Sequence, residues 1–207
     1  MQFFYQFPQR TERLVLVSSG GLGHEVSPLL RGAALPGAAT LLRVAAHRRV
    51  LDAMWWGGER MRARGFGKGV YLQAIARALR PLERAGARKA FVQTLRSVID
   101  VHGQRVSARD RLYLLRGFPT LIVWGERDNT IPVAHGVAAH EAIRGSRFTI
   151  LPRAAHFPQL EDPEGLASAL GDFMAATDPV RIEDADWGGF ISPRARRRRH
   201  DAHRAAA

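Results

Sequence analysis

Asp128 and His156 sit where an acid and a base could cooperate. Residues 119–128 read Pro-Thr-Leu-Ile-Val-Trp-Gly-Glu-Arg-Asp, an apolar run ending on a carboxylate. Residues 147–156 read Arg-Phe-Thr-Ile-Leu-Pro-Arg-Ala-Ala-His, a second such run ending on an imidazole. These residue types suit proton transfer. A histidine removes a proton from a nucleophile, while a carboxylate fixes the ring's tautomer and stabilises the imidazolium. The third partner of that chemistry, a recognisable nucleophile motif, is not found in the 207 residues.

The elements that must hold this pair are legible. Leu14-Val15-Leu16-Val17, Leu121-Ile122-Val123-Trp124 and Phe148-Thr149-Ile150-Leu151 are short, continuous apolar runs. Runs of this kind mark parallel strands with both faces covered by helices. Pro132 to Arg144 reads as a helix between the second and third runs. Asp162-Pro163-Glu164 reads as the start of another, with Asp162 as N-cap and Pro163 in the first turn. Leu166, Leu170, Phe173 and Met174 are expected to supply its apolar face. Met1 to Gln6 reads as the end of a helix stopped near Pro8. The alternation predicts an α/β fold with a parallel sheet of about three strands. In such sheets chemistry sits beyond the C-terminal ends of the strands, where Asp128 and His156 both fall.

Residues 27–116 contain helical patterns and no strand-like run. They are expected to form a helical insertion, broken at Pro36-Gly37, Gly57-Gly58, Gly65 to Gly69, Pro81 and Gly103. The expected organisation is core at 1–26, helical lid at 27–116, core with the acid and histidine loops at 117–177, and a tail at 178–207. Disorder is expected in that basic tail from about residue 192. Gly65-Phe66-Gly67-Lys68-Gly69 follows no strand and lacks phosphate-loop spacing, so it reads as a flexible lid loop.

Composition narrows the function classes. Apolar residues make up 46% of the chain, as in a globular protein, and there is no cysteine. That removes disulfides, thiolate metal sites and cysteine nucleophiles, and it suits a reducing cytoplasm. No apolar run is long enough to span a bilayer, and no signal peptide is visible. The net charge is +12, but only two of the 31 basic residues are lysines, Lys68 and Lys89. Six arginines fall within 194–204. Arg and Ala enrichment with little Lys reads as coding bias rather than a nucleic-acid surface. No specific nucleic-acid partner and no membrane partner are expected. The histidines show no metal-ligand spacing; neither a metal nor an organic cofactor is implied.

Trp124-Gly125-Glu126-Arg127-Asp128 resembles the strand-to-acid turn of the α/β-hydrolases. Ala155-His156-Phe157, followed by Glu161-Asp162-Pro163, resembles their histidine loop and last helix. Ile131-Pro132 and His135-Gly136 resemble the branch containing carbon–carbon bond hydrolases and related esterases. Tyr5 to Ser18 resembles the helix after the nucleophile turn and the next strand, and the helical insertion lies where these enzymes carry a lid. The resemblance covers residues 1 to about 175. It implies the C-terminal part of an α/β-hydrolase, with Asp128 as triad acid and His156 as general base.

The family's nucleophile lies in a Gly-x-Ser-x-Gly turn between strand and helix. Ser18, Ser19, Ser27, Ser97, Ser107, Ser146, Ser168 and Ser192 do not occur in that pattern. The resemblance therefore places the nucleophile and the oxyanion-hole donors upstream of Met1, in an N-terminally truncated enzyme. The chain alone is expected to be inactive. The implied reaction is hydrolysis of an ester or a carbon–carbon bond in a small apolar substrate. Trp55, Trp56 and His135 are candidates for substrate contact. Glu126 is a substitute candidate for the acid, and Glu161 for a structural partner of the histidine loop. An aspartate nucleophile, as in haloalkane and epoxide hydrolases, stays open, and so does a non-catalytic binding remnant. Such a remnant would leave Leu14–Val17 as an exposed apolar sheet edge, which favours association.

Overall fold

The three apolar runs are the strands of one parallel sheet. A computed structural model describes residues 1–182; the end expected to be disordered lies outside them. The chain opens with α1 (Gln2–Gln6), a 3-10 turn at Pro8–Arg10, and β1 (Leu14–Val17). Five helices follow: α2 (Pro28–Ala33), α3 (Ala38–Ala45), α4 (Arg48–Ala63), α5 (Lys68–Leu79) and α6 (Ala85–Val98). A 3-10 stretch, Arg109–Leu115, leads to β2 (Thr120–Gly125), α7 (Ala134–Ala142), β3 (Arg147–Leu151), α8 (Pro158–Glu161) and α9 (Pro163–Ala175). Among the described residues no helix is long and apolar enough to cross a membrane.

The strand order is β1-β2-β3, every pair parallel. Leu14 stands opposite Thr120, and Leu121 opposite Arg147. All six residues of β2 are buried, and alternation sends them to two different cores. Ile122 and Trp124 pack with Phe4, Leu115, Phe118 and Ile143 on one face. Leu121 and Val123 pack with Leu151 and Phe173 on the other. A strand with two buried faces has no polar side to display, which explains its unbroken apolar sequence. β1 has a strand neighbour on one side only among the described residues.

α9 covers the second face. The Asp162 side chain accepts a hydrogen bond from the Gly165 N–H and so caps the helix. Phe173 is buried, with Leu166 and Leu170 packed beside it. Met174 was expected on that face but is 60% exposed. One residue of helix turns the direction by about 100°, enough to carry it from core to solvent.

Two glycine positions in the insertion also differ from expectation. Gly57 and Gly58 do not break a helix; α4 runs through them. A Cβ on Gly58 would lie 2.7 Å from the Gly69 carbonyl oxygen, so glycine lets the α4 and α5 backbones touch there. Gly69 accordingly lies within α5 as a packing residue. The segment read as a flexible glycine loop is a tight connection, with Gly65 at φ +79° closing α4.

The chain beyond α9 contributes to the core. Arg13 donates to the Thr177 carbonyl at 2.5 Å, and the Val180 N–H donates to the Glu12 carbonyl at 3.1 Å. Ile182 is buried in the cluster containing Phe4, Leu112 and Phe118.

Candidate active site

Asp128 follows β2 by three residues and His156 follows β3 by five, so both occupy the same edge of the sheet. Backbone bonds stitch their loops together. The Glu126 N–H donates to the Leu151 carbonyl at 3.0 Å, and the Arg127 N–H donates to Ala154 at 3.1 Å. Gly125 permits this approach. A Cβ there would lie 1.9 Å from the Ala155 carbonyl oxygen, far inside contact distance.

The Asp128 side chain is fully buried. Its Oδ1 accepts from the Thr130 N–H at 2.8 Å and the Ile131 N–H at 2.9 Å. Its Oδ2 lies 2.9 Å from His156 Nδ1. Two backbone donors satisfy one oxygen and leave the other aimed at the imidazole. A carboxylate in that position selects the tautomer in which Nδ1–H donates and Nε2 is a free acceptor. His156 is 20% exposed at its side chain, and its Nε2 makes no hydrogen bond among the described residues. The arrangement can take a proton from a nucleophile at Nε2 and return it to a leaving group. Glu126, the substitute candidate, is exposed, whereas Asp128 holds the histidine.

No family model matches the chain. An uncharacterized protein of Mycobacterium tuberculosis is 37% identical over 188 residues, covering 89% of this chain and 55% of that protein. A pimeloyl-(acyl-carrier protein) methyl ester esterase of Neisseria meningitidis is 32% identical over 100 residues, 48% of this chain and 36% of the esterase. Among solved structures, a meta-cleavage product hydrolase from Pseudomonas fluorescens superposes with a TM-score of 0.57 at 17% identity, covering 84% of this chain and 59% of that one. The chain has the fold of the α/β-hydrolases. It spans about half the length of the mycobacterial relative it matches.

Within this α/β-hydrolase fold, a cavity of about 410 Å³ lies between the insertion and the loops beyond the strands. Met61, Tyr71 and Ile75 line it from the insertion, and Arg127, Ala155 and Glu161 from the core. Trp55 and Trp56 do not line it. Trp56 is 70% exposed beside Glu59 and Arg60. The Trp55 ring lies 5.6 Å from the Arg77 guanidinium carbon, beside Leu51 and Arg80.

His135 is placed differently again. It is buried at the start of α7, with its ring against the Gly23 backbone. Its Nε2 lies 2.6 Å from Glu25 Oε2. Hydrogen bonding to His135 holds the Glu25 carboxyl below its usual range. Sequence reading did not single out Glu25, and 110 residues separate the pair.

Ser18 closes β1 in a left-handed conformation, φ 41°. Its hydroxyl is buried and makes no hydrogen bond among the described residues. Among the described residues no three His, Asp or Glu side chains converge as metal ligands.

Proposed function

We propose that this chain is the acid–base half of a hydrolase that cleaves an ester of a small, largely apolar substrate. The observation that carries the proposal is the 2.9 Å contact between Asp128 Oδ2 and His156 Nδ1, with Nε2 unbonded among the described residues. His156 acts first as general base and then as general acid, and Asp128 orients it. The serine that attacks the carbonyl and the amides that bind the oxyanion belong to a segment preceding this one in the working enzyme. Support for that placement comes from the serines, which do not occur in a Gly-x-Ser-x-Gly turn. The apolar cavity beside Ala155 supports a small apolar substrate.

The likeness to a methyl ester esterase favours an ester. The fold likeness to a meta-cleavage product hydrolase keeps carbon–carbon bond cleavage as the second reading. The test is to express the polypeptide with the residues encoded upstream of Met1. That protein is then offered short-chain p-nitrophenyl esters, ring-cleavage products and a fluorophosphonate probe. The expected outcome is ester hydrolysis with one labelled serine ahead of Met1, both lost in His156→Ala. Labelling undiminished in His156→Ala would overturn the proposal.

A further inference from the structure

The His156 loop has its own clamp. The Ala155 N–H donates to Glu161 Oε2 at 2.6 Å, and the Phe157 N–H donates to the same oxygen at 3.1 Å. One carboxylate atom therefore holds the N–H groups of the residues before and after His156. Glu161 is the last residue of α8, and α8 is rooted in α9 through the cap residue Asp162. Glu161 Oε1 is buried and makes no hydrogen bond among the described residues. Fold stability does not call for an acceptor left unpaired inside the protein. A carboxylate kept there despite that cost is explained by what its other oxygen does.

We propose that Glu161 is a positioning residue: it fixes the backbone on either side of His156 so that the imidazole stays on Asp128. The inference rests on the acid–base reading of Asp128 and His156. Asp128 constrains the ring from one end only, through Nδ1. Without the clamp, rotation about the backbone bonds flanking residue 156 would carry the ring off the carboxylate. A contact lengthened by about 1 Å is no longer a hydrogen bond.

The test reads the hydrogen bond itself, by proton NMR on the uniformly ¹⁵N-labelled chain at low temperature. In the unmodified protein the His156 Nδ1 proton is expected at low field, and Asp128→Asn removes it. Glu161→Ala, which deletes the acceptor, and Glu161→Asp, which withdraws it by one methylene, are expected to abolish the same resonance. The backbone spectrum outside residues 152–161 should stay unchanged. Glu161→Gln keeps a carbonyl oxygen within reach of both amides and is expected to restore the resonance. Persistence of the low-field proton in folded Glu161→Asp or Glu161→Ala would overturn the inference. So would its loss in Glu161→Gln, or collapse of the whole spectrum in all three variants. Absence of an Asp128-dependent proton in the unmodified protein would instead overturn the acid–base reading beneath it.

Discussion

His156 depends on its neighbours in a specific order. Asp128 faces it because two backbone N–H groups hold the other carboxylate oxygen. The loops reach each other because Gly125 has no side chain. Gly125→Ala must therefore push the Ala155 carbonyl away, and overpacking of this kind costs about 1–3 kcal/mol. A lower urea midpoint, equivalent to a loss of unfolding free energy of about that size, is expected, together with loss of the His156 low-field proton. The acid and the histidine were legible in sequence because each ends an apolar run. The Glu25–His135 contact was not, because it is made between residues 110 apart with no local pattern. Ser18 gave no hint of its strained backbone either, since a serine at φ 41° looks the same in sequence as any other.

The elements were read best where local chemistry and burial agree. β2 is apolar throughout because both its faces are buried. Asp162-Pro163 announced α9 because a cap and a first-turn proline act locally. Gly57-Gly58 misled because a glycine pair resembles a break, whereas Gly58 serves contact with Gly69, eleven residues on. Asp162 also pairs with Arg153 at 2.8 Å, but Arg153 is 71% exposed there, so the ion pair adds little. Asp162→Ala is thus expected to cost about 1 kcal/mol, the usual value of a lost cap. Arg153→Ala should leave thermal unfolding nearly unchanged. Equal destabilisation by the two variants would show that the ion pair matters more than the cap.

At the scale of the molecule, the first and last described segments close one core. Phe4 of α1 packs with Ile182, Leu112 and Phe118 under the sheet. Residues 178–182 read in sequence only as part of a tail, because a short irregular segment that packs Val180 and buries Ile182 carries no helical signature. Tyr5 belongs to the same region. Its hydroxyl is buried without a hydrogen bond among the described residues, and burial pushes its pKa up to about 12 from 10.0. The folded state therefore holds the phenol proton more tightly than the unfolded chain does. That contribution is fully present below about pH 10 and is lost as pH rises toward about 12. Denaturation midpoints measured across this interval should fall less steeply for Tyr5→Phe than for the unmodified chain. Identical slopes would contradict the burial of that hydroxyl.

The proposed hydrolase stands on proton transfer through His156. Its most direct measurement is kcat for hydrolysis of a short-chain ester by the polypeptide extended upstream of Met1, compared among the unmodified protein, His156→Ala and Asp128→Asn. Triad chemistry predicts a fall of about 10³-fold or more in both variants, because the nucleophile loses its base or the base its tautomer. Activity in His156→Ala within a few-fold of the unmodified protein would contradict the account.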